Sequence, residues 1–156
     1  MPAGIPVWPA NALSIYALAV IRILIADDHE VLRKGARAIL ESHSDAEVCG
    51  EAANGSEALM KAIELRPDLV ILDLSMPIMG GFEAAVEIRK QLPEMPVVFY
   101  STHEGAQLIK EARRIGVRGF VYKSRAQSEL LEAVEVVVRR GGVYFPDSGG
   151  VTAFRG

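Results

Sequence analysis

Cysteine is nearly absent from this chain of 156 residues: Cys49 has no second thiol to pair with, which excludes an internal disulfide. Its setting, Glu47-Val48-Cys49-Gly50, reads as part of an apolar strand, so the expectation is a buried structural thiol and a reducing compartment. No excess of positive charge exists either. With 17 Lys and Arg against 20 Asp and Glu, the net charge is −3. At a pI near 5.6 there is no whole-protein electrostatic case for binding nucleic acid or an anionic membrane. Long apolar runs are missing too. The stretch Leu13 to Ile21, interrupted by Ser14, falls short of the roughly 20 residues a bilayer span needs. There is no internal repeat, low-complexity block or long linker. What is present is an ordinary globular composition, 50% hydrophobic and 24% charged, at a length that suits one domain with one substantial core.

Residues 1–20 differ from the rest: they hold no charged side chain and carry three prolines before residue 10. Ala17-Leu18-Ala19 has the form of a signal-peptidase site, but a signal peptide needs a basic leading region, and none exists. The segment is therefore expected to be an appended or upstream extension, with the domain opening near Val20 or Ile21.

From Ile21 short apolar runs alternate with amphipathic stretches, the pattern of βα units around a parallel sheet. Strands are expected at Ile21 to Ala26, Ala46 to Ala52, Leu69 to Leu72, Val97 to Tyr100 and Gly119 to Tyr122. The second is the least hydrophobic, as at a sheet edge. The third is uninterrupted, as in a strand covered on both faces. Between them run helical periodicities: Leu32, Ala36, Ile39 and Leu40; Leu59, Ala62 and Ile63 behind an Asn54-Gly55-Ser56 cap; Phe82, Ala85, Val86 and Leu92; Leu108, Ile109, Ala112 and Ile115 up to Gly116. A fifth helix, Ala126 to Arg140, lines up Leu130, Val134, Val137 and Val138, its Val136–Val138 run being core or a dimer face. Residues 21–142 thus form the domain, and the aperiodic residues 143–156 a tail or truncated linker.

In a doubly wound sheet the ligand site lies outside the carboxyl ends of the strands. Those ends carry Asp27-Asp28, Asp73, Ser101-Thr102 and Lys123. Each has a modest explanation of its own: Asp28 as a helix cap, Asp73 as a turn former with Ser75, Ser101 or Thr102 as a cap, Lys123 as a solvated strand end. Capping does not explain why all four ends complement each other. Clustered carboxylates repel, and a cation relieves them; oxygen-only ligands favour a hard ion such as Mg²⁺. A carboxylate beside such an ion can act as nucleophile toward a phosphoryl group, with a lysine and a hydroxyl neutralising its oxygens. His29, next to the acidic pair, suits Mg²⁺ poorly and is read as a surface residue; His43 and His103 have no evident partners.

In "ILIADDHEVLRKGARAIL", "PDLVILDLSMPIMGGFEA", "VVFYSTHE" and "GVRGFVYKS" the chain resembles a bacterial response-regulator receiver domain over about residues 20–146, and "DDHEVLRKG" resembles the NarL/FixJ branch. The resemblance implies a (βα)5 flavodoxin-like sandwich of five parallel strands in the order 2-1-3-4-5. It implies Asp73 as phosphoacceptor. Mg²⁺ or Mn²⁺ would be held by Asp27, Asp28, Asp73 and the Ser75 backbone carbonyl, with Asp28 binding it directly. Lys123 would pair with the phosphoryl oxygens, Ser101 would be the switch hydroxyl, and Phe120 the aromatic that turns inward on activation. Ser75 and Thr102 stand where the family sets the lifetime of the phosphorylated state. Two positions depart from the pattern: Gly80 replaces a usual polar residue, which would leave its loop freer, and Ser124 follows Lys123 in place of the common proline.

The implied function is a cytoplasmic switch that takes a phosphoryl group from a sensor histidine kinase, forms a homodimer on activation, and has only limited catalysis of its own phosphorylation and dephosphorylation. DNA would be reached through an output domain that these 156 residues do not include. Two rival readings meet specific obstacles in the sequence. A haloacid-dehalogenase-type phosphatase needs a second Asp two residues after the nucleophile, where Ser75 stands. A phosphorylation-independent pseudo-receiver usually lacks one of the acidic residues, all of which are here.

Overall fold

The computed structural model describes residues 19–146 and the backbone of residues 151–152. Residues 1–18, most of the expected extension, and the remainder of the expected tail lie outside the described residues. The elements are β1 (Ile21–Ala26), α1 (Glu30–Leu40), β2 (Ala46–Ala52), α2 (Gly55–Leu65), β3 (Leu69–Leu72), α3 (Gly81–Gln91), β4 (Val97–Ser101), α4 (Ala106–Ile115), β5 (Gly119–Tyr122), α5 (Ala126–Val134), β6 (Val143–Tyr144) and β7 (Val151–Thr152). A single 3₁₀ turn, Lys123–Arg125, joins β5 to α5, and α5 runs on as a π-helical turn, Glu135–Arg139.

The sheet order is β2-β1-β3-β4-β5-β6-β7, with β1 to β6 parallel and β7 antiparallel to β6. The expected order 2-1-3-4-5 holds for the first five strands. The expectation of exactly five does not, because Val143–Tyr144 extends the parallel sheet beyond β5. Two residues are too few to show a strand period, so no pattern in the sequence marked them.

Alternate residues of each strand feed two cores, as side chains of period two must. Leu24, Val70, Leu72, Phe99 and Phe120 pack with α2, α3 and α4 through Ala58, Ala62, Ala85, Ile88 and Ile109. Ile23, Ile25, Ile71, Val98 and Val121 pack with α1 and α5 through Ala36, Leu40, Leu130 and Val134. Strand β3 is buried at all four residues, as its unbroken apolar run requires. Val136 and Val137 both lie in the second core, since the wider π turn brings adjacent residues onto one face. Two expected helix contacts differ: Leu32 and Ile63 remain 42% and 37% exposed, while smaller Ala36 and Ala62 make the packing. Cys49 sits at a register shift where Ile23 pairs with Val48 and Leu24 with Gly50. It is half-buried, and desolvation pushes its thiol pKa up, which disfavours the thiolate.

Helix ends follow their capping chemistry. Asn54 Oδ1 accepts the Glu57 N–H at 2.8 Å, while Glu57 Oε1 reaches back to the Ala53 N–H at 3.0 Å. Gly116 closes α4 at φ 87°.

Candidate functional site: an acidic pocket at the carboxyl edge of the sheet

Parallel pairing of β1 with β3 sets Ala26 beside Leu72, so the next residues of the two strands, Asp27 and Asp73, leave the sheet side by side. The Asp27 N–H donates to the Ala52 carbonyl and the Asp73 N–H to the Ala26 carbonyl, both at 2.9 Å, which continues the ladder into the site. Pairing of β4 with β5 sets Ser101 beside Tyr122 and brings in Lys123. Asp27, Asp73 and Ser101 are buried at 1%, 4% and 0% exposure, whereas Asp28 opens to solvent.

Lys123 Nζ is the electrostatic centre: it lies 2.5 Å from Asp27 Oδ2 and 3.3 Å from Asp73 Oδ2, with its side chain 6% exposed. The Tyr100 ring lies 5.4 Å beneath the ammonium, and burial together with the Asp27 and Asp73 charges pushes that phenol up to about 12. Carboxylate oxygens of Asp27, Asp28 and Asp73, with a His29 ring nitrogen, fall within 4.8 Å of one another. Burial raises the pKa of Asp73 above the ordinary carboxylate value; Lys123 pulls it back, and Asp27 pushes it up again. Three carboxylates against one lysine leave an excess of negative charge in an oxygen-lined pocket. This donor set fits a hard divalent cation.

The modest explanations of Asp28, Ser101, Thr102 and Lys123 do not match this geometry. Helix α1 is capped at the His29 position with no side-chain bond, so Asp28 is not its cap; Asp27 Oδ1 accepts the His29 N–H at 2.9 Å instead. Helix α4 starts at Gly105 without a side-chain cap, so neither Ser101 nor Thr102 caps it. Ser101 Oγ accepts the His103 N–H at 2.9 Å, a backbone partner for that segment that sequence alone did not suggest. Lys123 is not a solvated strand end. Phe120 is fully buried, edge-on to Phe99 at 6.0 Å and to Tyr122 at 5.7 Å between ring centroids. Ser75 and Thr102 are exposed on the loops after β3 and β4, at the rim of the site.

The loop after β3 is fitted tightly to its surroundings. A Cβ on Gly81 would meet the Asp73 carbonyl oxygen at 2.2 Å, and one on Gly55 would meet the Met79 carbonyl oxygen at 2.4 Å. Gly81 donates its N–H to the Leu74 carbonyl at 2.9 Å, and Gly80 is the N-cap of α3. Ser124 Oγ donates to Glu104 Oε2 at 3.1 Å, tying the β5–α5 turn to the β4–α4 loop.

Two neighbours touch the acidic pair: His29, expected at the surface, and Arg33, which the sequence did not single out. His29 Nδ1 lies 3.1 Å from Asp28 Oδ1 and 3.4 Å from Asp27 Oδ1, although its side chain is 63% exposed. Arg33 donates from Nη1 to the Asp27 carbonyl and from Nε to Glu51 Oε1, each at 2.6 Å. The exposure of His29 agrees with the surface reading; nothing hinted at Arg33, because a side-chain bond to backbone outside its own helix leaves no spacing signature.

A doubly wound sheet that gathers three aspartates, a serine and a lysine at its carboxyl edge defines a flavodoxin-like α/β protein with a charged site at the switch point of the winding. Residues 23–135 match the family described as the response regulator receiver domain, and the chain belongs to that family. It is 37% identical over 127 residues to response regulator protein VraR of Staphylococcus aureus, a match that covers 81% of this chain and 61% of VraR. Among solved structures it is similar to a LuxR-family two-component response regulator from Aurantimonas, with a TM-score of 0.77 at 33% identity over 80% of this chain and 89% of that one. It is likewise similar to the receiver domain of the response regulator NarL from Mycobacterium tuberculosis, with a TM-score of 0.74 at 29% identity over 78% and 98%. These relatives support the NarL/FixJ-like branch. No helix among the described residues is long and apolar enough to cross a membrane.

Proposed function

We infer that Asp73 accepts a phosphoryl group from a sensor histidine kinase and that the domain converts this event into a conformational signal. The observation that carries the reading is the pairing of a buried Asp73 carboxylate with Lys123 at 3.3 Å, inside a carboxylate cluster able to hold a divalent cation.

An Asp73 carboxylate oxygen attacks phosphorus, the bond from phosphorus to the donor atom breaks, and an acyl phosphate forms. Asp27, Asp28, Asp73 and the Ser75 backbone carbonyl are the residues that would hold Mg²⁺ or Mn²⁺, which supplies neutralisation of phosphoryl charge. Lys123 moves from sharing its proton bonds between Asp27 and Asp73 to pairing with a phosphoryl oxygen. Ser101 turns its hydroxyl proton to another of those oxygens, and Phe120 relays the change through β5. Ser75 and Thr102, at the rim, modulate attack of water on the acyl phosphate and therefore its lifetime. Catalysis by the domain is confined to its own phosphorylation and dephosphorylation.

Because the chain spans 61% of the length of VraR, whole-protein activities are part of this proposal. Residues 21–142 form the receiver unit, working in the cytoplasm and forming a homodimer on activation; residues 1–20 are an extension. Transcription would be regulated through a DNA-binding output domain outside these residues, in keeping with a similar Staphylococcus aureus structure described as a DNA-binding response regulator.

Incubation with acetyl phosphate and Mg²⁺, followed by intact mass, tests the reading. One phosphoryl group is expected on the wild type, none without Mg²⁺ and none on Asp73→Asn. Modification that persists in the variant would overturn it.

A further inference from the structure

Strand β5 carries Phe120, ends at Lys123, and is flanked by β4 on one side and β6 on the other. Besides its antiparallel pairing with β7, the last of these is held by a small set of contacts that grip three other elements. On β5 the described register is the single pair Gly119 with Tyr144. The Tyr144 N–H donates to the Arg118 carbonyl at 2.9 Å, and Arg118 Nη2 donates to the Gly141 carbonyl at 2.8 Å. On the α4 side, the Arg113 guanidinium lies 4.2 Å over the Phe145 ring. On the α5 side, Tyr144 donates its hydroxyl to Glu132 Oε1 at 3.2 Å. Val143, Tyr144 and Phe145 are buried at 6%, 3% and 2%, with Val143 and Phe145 in one core and Tyr144 in the other.

This seat exists while α4, β5 and α5 keep their present spacing. It also has no slack on β5, since a Cβ on Gly119 would lie 2.8 Å from the Tyr144 carbonyl oxygen. Gly119 adjoins Phe120, and the opposite edge of β5 pairs Tyr122 with Ser101. A pull on Lys123 and Ser101 at the site is therefore transmitted along a four-residue strand to the contact that seats β6. Close-packed contacts of this kind respond to small shifts by changing arrangement rather than stretching.

We propose that Val143–Phe145 is a displaceable strand that reports the state of Asp73 to the chain beyond α5: it is seated on β5 in the arrangement described here and leaves that seat when Asp73 is phosphorylated. The inference rests on the proposed phosphoacceptor role and adds the element through which it is read out.

The test uses the full chain with Mg²⁺ and beryllium fluoride as the phosphoryl mimic, with fluorine NMR to detect the bound mimic and amide exchange to follow residues 142–146. Exchange of the Tyr144 amide is expected to speed up by about ten-fold when the mimic binds, with no change in Asp73→Asn. By linkage, loosening the strand must favour the mimic in return, so Phe145→Ala is expected to bind it about 5-fold more tightly or better. A residue that merely stabilised the fold would leave that affinity unchanged or lower it. If Phe145→Ala does not fold, Glu132→Ala together with Glu129→Ala, which removes the two carboxylates that bond the Tyr144 hydroxyl, supplies the same comparison. Bound mimic with unchanged exchange at 142–146, or with unaltered affinity in the loosened variant, overturns this inference and leaves the phosphoacceptor role standing. No bound mimic, together with no Mg²⁺-dependent phosphorylation by acetyl phosphate, overturns both.

Discussion

Ile78 holds a backbone conformation that its own side chain resists. At φ 69° and 82% exposure, it is a β-branched residue in the left-handed region with little burial to compensate. That conformation costs about 1–2 kcal/mol in an L-residue, while Asn tolerates it. Ile78→Asn is therefore expected to raise stability by about 1 kcal/mol in denaturant titration. Asp73 carries a second cost, set by the site. Its folded pKa is raised by burial, so the native state binds its proton more tightly than the unfolded chain, and stability falls as pH rises from the ordinary carboxylate range through the raised value. Asp73→Asn removes that charge and is expected to lift the neutral-pH unfolding midpoint by a few degrees, the scale of about 1 kcal/mol in a domain of this size. Melting curves at acid pH should show the difference from wild type vanish, because there Asp73 is protonated in both states.

Among the elements, α1 and β2 are joined by a chain of ion pairs that also reaches the site. Arg33 and Arg37 each bond Glu51 at 2.6 Å, Arg37 bonds Glu41 at 3.1 Å, and Glu41 accepts the Val48 N–H at 2.9 Å. The Arg33 bond first, and Arg37 with it, holds the Glu51 carboxyl below the usual range. The stability this contributes is present above the unfolded carboxylate pKa and is lost as pH falls through the depressed one. Glu51→Gln should lower stability by about 1–2 kcal/mol at neutral pH, and the gap should close in acid. Because Arg33 also bonds the Asp27 carbonyl, the same network orients the backbone of the acidic pair.

For the whole molecule, a cation held in the acidic pocket would link binding to folding. An ion that binds the native site and not the unfolded chain stabilises by mass action, about 2.7 kcal/mol at a hundredfold excess over Kd. Mg²⁺ titration should raise the wild-type unfolding midpoint, and Asp28→Ala should abolish the rise. Loss of Mg²⁺ stabilisation without loss of the fold is the signature expected of a ligand, as opposed to a packing residue, and Asp28 is the member of the cluster that opens to solvent.

The order of strands and helices was legible in the chain because strands buried on both faces read as unbroken apolar runs, such as Leu69 to Leu72, and helices as periodic ones. The residues of the charged edge were legible as well, since a parallel sheet delivers whatever ends its strands to one place. Tertiary structure alone decided the rest. Val143–Tyr144 became a strand because β5 offered an open edge between α4 and α5; both residue types favour strands, but two residues carry no period that would mark one. Arg33 reached Asp27, and His103 reached Ser101, through single hydrogen bonds that no periodicity encodes. Local pattern determines which face of an element is buried; which atoms then meet depends on how the elements pack together.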